Sequence, residues 1–210
     1  MSPKKKIIIC EDHPIYAKGM SDFLQKHFEV VLIAGSGKKT ITYLEKHKAN
    51  ILLLDLNMEE MNGIEVIKKL KEAESNIKIV IVSMYNDKML IEKCKKLDVN
   101  AYCSKQVTNS EMLTILNNLK EGEFVVDSSL KERIRNTNLT IDKEDFEKKC
   151  LLTKREKELI ALFSDGLSNK EIASELNISS FTIHTHKKNI FRKLNVKTTV
   201  ELVKFYYENF

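Results

Sequence analysis

ILLLD, residues 51–55, is four aliphatic side chains in a row closed by a carboxylate. A strand with one wet face would alternate apolar and polar residues, so an unbroken run of this length predicts a strand covered on both faces. Comparable runs stand at 7–10 (IIIC), 30–34 (VVLIA) and 79–82 (IVIV), with a weaker one at 101–103 (AYC). Between them lie stretches with helical spacing, such as Ile64, Ile67, Lys68 and Leu70, or Met89, Leu90, Lys93 and Leu97. This repeated alternation predicts an α/β fold, a five-stranded, doubly wound parallel sheet covered by helices.

Four of the runs end on residues suited to phosphoryl chemistry: Glu11 and Asp12, then Asp55, Ser83 and Lys105. A parallel sheet gathers the ends of its strands, so these residues are expected to form one acidic pocket with a lysine at its rim. Three carboxylates together repel one another unless a cation sits among them, and Mg2+ suits a site built of carboxylate oxygens, phosphate and water. Asp55 is then the nucleophile toward a phosphoryl group, Lys105 neutralises its charge and Ser83 donates a hydrogen bond to it. The expected product is an aspartyl phosphate, the basis of a switch. Taken singly, an aspartate after a strand reads as a helix cap and a lysine as a solvated end; the coincidence of five positions carries the inference. His13 and Cys10 adjoin the acidic pair, and neither is expected to serve as ligand or nucleophile.

With 210 residues, 42% apolar and 31% charged, the chain has room for one domain of ordinary size and a small one. No apolar run approaches the length of a membrane span, which predicts a soluble, cytoplasmic protein without a targeting segment. Cys10, Cys94, Cys103 and Cys150 form no CxxC pair and read as reduced core residues. The net charge of +5 decides little, but between Thr182 and Lys197 stand Lys187, Lys188, Arg192, Lys193 and Lys197 with no acid among them.

The first domain is expected over 1–122, its last helix opening on a Thr108–Glu111 capping box and ending near Gly122. A linker follows over 123–149, with room for one helix at a Ser129–Glu132 capping box. Over 150–210 the start and stop signals mark four helices. Thr153 with Glu156, Ser168 with Glu171 and Thr198 with Glu201 form capping boxes, Gly166 and Asn177 suit left-handed C-caps, and a further helix runs from Ser179 to about Leu194. Such punctuation predicts a small all-α helix-turn-helix domain. On the helix ending at Leu194, Ile183, Ile190 and Leu194 share one stripe, while Thr185, Lys188 and Arg192 lie opposite, flanked by His184 and Asn189. Lysine and arginine suit guanine edges and asparagine suits adenine.

The pocket spacing resembles the receiver domain of bacterial two-component response regulators, in the subgroup similar to the NarL/FixJ type, over about residues 5–122. The resemblance implies a flavodoxin-like sheet in which Glu11, Asp12, Asp55 and the main-chain carbonyl of Asn57 bind Mg2+. It further implies that Asp55 accepts phosphate from a cognate sensor histidine kinase beside Lys105, and that Ser83 and Tyr102 form the switch, the ring following the hydroxyl into vacated space. Receivers commonly carry proline where Glu59 and Gln106 stand here. Residues 151 to about 200 resemble the LuxR-type helix-turn-helix, through Leu152-Thr153, Arg155-Glu156, Gly166, Ser168 to Ala173, Leu176, Thr182, His186 and Lys193-Leu194. That likeness implies base reading by His184, Thr185 and Lys188, with Arg192 on the same face and Lys170, Thr182, Lys187 and Lys193 toward phosphates. His186 is expected to pack or touch phosphate. Together these features imply a regulator, not an enzyme, that binds double-stranded DNA as a homodimer when phosphorylated and has no membrane partner. Two other readings are a DNA-binding protein gated by a partner or ligand, and a phosphatase-like enzyme acting through Asp55. The latter wants a second acid where Asn57 stands.

Overall fold

The computed structural model describes residues 3–58, 61–85, 88–136 and 152–210. The chain divides into two compact units, Met1–Thr140 and Ile141–Phe210. In the first, strands and helices alternate as β1 (Lys6–Cys10), α1 (Pro14–Leu24), β2 (Glu29–Ala34), α2 (Gly37–Leu44), β3 (Ile51–Leu54), α3 (Gly63–Glu72), β4 (Lys78–Ser83), α4 (Lys88–Lys96), β5 (Ala101–Ser104) and α5 (Asn109–Asn117). With β6 (Val125–Val126) the strands are all parallel, in the order β2-β1-β3-β4-β5-β6. Ile51, Leu52, Leu53 and Leu54 are all buried, as the unbroken run requires. Among the described residues no helix is long and apolar enough to cross a membrane.

The sheet has six strands, not five. Val125 and Val126 form β6 and pair with Ala101 and Tyr102, a two-residue run too short to show a period. Helix α5 stops at Asn117, well before Gly122, whose φ of +72° serves the turn into β6. The span expected as linker thus carries β6 and α6 (Ser128–Asn136). Nor does a Ser129–Glu132 box open α6. Its cap is the fully buried Asp127, whose Oδ1 accepts from the Leu130 N–H at 3.0 Å and the Ser129 hydroxyl at 2.6 Å. The other carboxylate oxygen accepts from the Ser104 N–H at 2.6 Å, fastening α6 to the end of β5. Glu111 leaves its own box half closed: its carboxylate accepts from the Ser128 N–H at 2.7 Å and hydroxyl at 3.1 Å. Residues 137–149, and with them Cys150, lie outside the described residues.

Parallel register aligns the strand ends. Cys10 pairs with Leu54, Leu54 with Ile81, and Ser83 with Ser104. The ladder runs one residue further, from the Asp55 N–H to the Cys10 carbonyl at 2.9 Å and from the Lys105 N–H to the Ser83 carbonyl at 2.8 Å. Helix α3 begins hard against this edge, with the buried Asn62 and Glu65 closing a capping box. Its first residue has to be glycine, because a Cβ on Gly63 would stand 2.5 Å from the Asp55 carbonyl oxygen and 2.8 Å from Leu56 Cα.

The second unit holds α7 (Lys154–Ser164), α8 (Asn169–Glu175), α9 (Ser180–Leu194) and α10 (Thr199–Asn209) around Leu159, Ile160, Phe163, Ile172, Ile183, Ile190, Leu194 and Leu202. The Thr153–Glu156 and Ser168–Glu171 boxes are closed, Thr198 caps α10 by accepting from the Glu201 N–H, and Gly166 and Asn177 are left-handed. Asn195 adds a left-handed cap after α9. The Glu156 carboxylate, only 4% exposed, accepts from the Thr153 N–H at 2.8 Å and from Lys193 Nζ at 2.9 Å. One side chain therefore joins the start of α7 to the end of α9.

Gly63→Ala is expected to cost about 1–3 kcal/mol through overpacking, read from the urea midpoint of the first unit. Glu156→Ala is expected to cost the second unit about 3 kcal/mol, because it strands a lysine that is largely buried. A helical transition of unchanged midpoint in urea would disprove that role.

Candidate functional site

Glu11, Asp12 and Asp55 meet at the C-terminal sheet edge, beside the turn where β1 lies between β2 and β3. Together with His13 they offer ligand atoms within 4.8 Å of one another. Lys105 Nζ lies 2.9 Å from Asp55 Oδ2 and 2.5 Å from Glu11 Oε2, and all three side chains are nearly buried. The second Asp55 oxygen accepts from the Asn57 N–H at 3.2 Å. Burial raises the Asp55 carboxyl pKa; the Lys105 bond pulls it back and the Glu11 charge raises it further. For Lys105, burial works against the ammonium, but the Asp55 and Glu11 carboxylates outweigh it and the net shift is upward.

Tyr16 carries no motif that marks it for this site, and His13 is expected from the sequence only to adjoin the acidic pair. Tyr16 lays its ring 4.8 Å from Lys105 Nζ, a cation–π contact that helps fix the amine. His13 Nδ1 lies 2.6 Å from Glu11 Oε1 and 3.0 Å from Asp12 Oδ1, so it serves the acidic pair as a hydrogen-bonding neighbour. Cys10 is inert, its thiol pushed up to about 12 by burial.

The donor set fits a hard divalent cation: three carboxylates converge, and Asn57 Oδ1 is the one buried side-chain polar atom without a hydrogen bond among the described residues. Lys105 and His13 cover part of that set, so any ion would share the carboxylates with them.

Ser83 and Tyr102 are both fully buried and hold the same backbone residue. Ser83 Oγ accepts from the Tyr85 N–H at 3.1 Å, while the Tyr102 hydroxyl donates to the Tyr85 carbonyl at 2.7 Å. The ring expected to move into a vacated space is already inside. What links the two side chains is the main chain of Tyr85, a residue with no motif to announce it.

In the second unit α9 buries Ile183, Ile190 and Leu194 and exposes His184, Thr185, Lys188 and Arg192, with Thr182 partly exposed and Lys170 exposed on α8. Two of the cations expected toward phosphates have partners within the unit. Lys193 turns its amine onto Glu156, because a largely buried ammonium needs a carboxylate. Lys187 lies 4.6 Å from the Phe163 ring and 5.7 Å from that of Phe191, and burial holds its pKa below the usual lysine range. His186 is partly buried at the edge of the stripe.

Two family models match the chain: the response regulator receiver domain over residues 7–117, and the bacterial regulatory proteins of the luxR family over 151–206. Similar proteins include Response regulator protein VraR of Staphylococcus epidermidis, 30% identical over 206 residues that make up 97% of each chain. Oxygen regulatory protein NreC of the same species is 30% identical over 208 residues, 95% of each. Among solved structures, the two-component response regulator RcsB in complex with DNA has 26% identity and a TM-score of 0.57, over 99% of this chain and 100% of that one. The chain therefore belongs to the two-component response regulators, with a receiver domain followed by a LuxR-family DNA-binding domain.

Proposed function

We propose that Asp55 accepts a phosphoryl group from a cognate sensor histidine kinase in the cytoplasm, and that phosphorylation favours a homodimer whose α9 helices read duplex DNA. The observation that carries this reading is the nearly buried Asp55 carboxylate held against Lys105 at the edge shared with Glu11 and Asp12. An Asp55 oxygen forms the new P–O bond as the P–N bond of the donor's phosphohistidine breaks, and Lys105 offsets charge on the transferred group. Glu11, Asp12, Asp55 and the Asn57 carbonyl would hold Mg2+, which when bound supplies a fixed positive charge at the phosphoryl oxygens.

Ser83 accepts from Tyr85, so its own hydroxyl proton is available to a phosphoryl oxygen. Turning toward that oxygen strains or breaks the hydrogen bond that Ser83 accepts from the Tyr85 N–H. The same residue's carbonyl is tied to Tyr102, so the pocket's state reaches the buried ring through one peptide segment.

On DNA, His184, Thr185 and Lys188 meet base edges, and Lys170, Thr182 and Arg192 meet phosphates, with Lys187 close to its own aromatic neighbours. Related RcsB structures hold dimers on DNA, and RcsB bound to promoter with the phosphomimetic BeF3-, in support of this reading. The half-sites are expected about 10 base pairs apart, centre to centre.

Intact mass after incubation with Mg2+ and a small phosphoryl donor is expected to rise by one phosphoryl group, and Asp55→Asn or removal of the metal to abolish the gain. A folded wild-type chain that gains nothing sinks the reading. Lys188→Ala is expected to weaken selected sites by about 1–3 kcal/mol more than random duplex; equal weakening of both would assign Lys188 to phosphate.

A further inference from the structure

Phe181, the second residue of α9, is 78% exposed. A single exposed aromatic is ordinary, and its position decides what it means. Phe181 precedes His184 by three residues, Thr185 by four, Lys188 by seven and Arg192 by eleven, so it shares their helix face and stands at its N-terminal end. That end of a recognition helix approaches base edges most closely.

Thr185, one turn along the face, reinforces the character of this end. Thr185 Oγ1 donates to the Phe181 carbonyl at 3.0 Å, so its proton is spent within the helix and its methyl and oxygen lone pairs remain for contact. The face is thus divided. Lys188 and Arg192 supply cations toward the C-terminal half, whereas a phenyl ring and, one turn on, a methyl beside the His184 imidazole occupy the first two turns. Among groups in the major groove, the one apolar feature is the C5-methyl of thymine. Burying phenyl against that methyl removes apolar surface from water on both sides, and the adjacent cations hold the helix to the polyanion.

We infer that Phe181 is a specificity-determining residue that packs on a thymine 5-methyl in each half-site. The inference rests on the DNA-reading role of α9 given above. It needs no change in hydrogen bonding, so it is separable from the reading by His184 and Lys188.

The test begins with full-length phosphorylated protein and selection from a random duplex library. Each thymine of the enriched site is then replaced by deoxyuridine, which deletes the methyl alone. In the wild type, one thymine per half-site is expected to show about a fivefold loss of affinity on replacement. In Phe181→Ala that loss is expected to vanish while the cost of other base changes persists, and Phe181→Leu is expected to retain part of it. A wild type indifferent to deoxyuridine at every position overturns the inference, as does a Phe181→Ala variant that keeps the full discrimination. Enrichment of no sequence at all would overturn the DNA-reading role itself, an outcome distinct from both.

Discussion

Carboxylates buried at one sheet edge stay together only if positive charge comes to them, and in this protein that charge is the ammonium of Lys105. Its contacts to Glu11 and Asp55 span the sheet from the end of β1 to the end of β5. Desolvating three charged groups is costly, and it is tolerated because each finds a partner at hydrogen-bond distance. Much of the first unit can be understood from this need. Parallel register sets the strand ends level, α3 starts at a residue without a Cβ so that it can approach Asp55, and Tyr16 closes over the lysine. A pocket whose carboxylates are held chiefly by ion pairs also stays responsive, because new charge at Asp55 must redistribute them.

The second unit uses the same economy for a different end. Glu156 caps one helix and pairs with a lysine at the far end of another, so a single carboxylate fixes the angle at which α9 is presented. The exposed face of α9 is left without that obligation. Lysines near one another in sequence have separate duties: Lys193 is architectural, Lys187 leans on aromatic rings, and Lys188 faces outward.

What the sequence disclosed was set by the range of each interaction. Runs such as Ile51 to Leu54 reveal strands because burial on both faces leaves a local mark, and caps such as Ser168 with Glu171 reveal helix starts because both partners lie within one turn. The pocket residues were legible because strand ends converge by topology. Partners set by packing were not. Nothing around Lys193 indicates Glu156, 37 residues away, and nothing local distinguishes Asp127 from Ser129 as the cap of α6, since either side chain can fill that role. The shared hold of Ser83 and Tyr102 on Tyr85 was likewise hidden, because it uses backbone atoms that every residue has.

Asp127 also bears on where the chain could be cut and rejoined. Its buried carboxylate binds the Ser104 N–H, one residue before the pocket lysine, and β6 covers the outer edge of β5. A gene fusion that joined this regulatory half to another output after residue 122 would expose an open strand edge, inviting association with other chains, and would strip a buried N–H of its acceptor. A cut beyond Asn136 would keep both the β5 edge and the Ser104 N–H covered, so in this chain the contacts that finish the sheet run past α5 into α6.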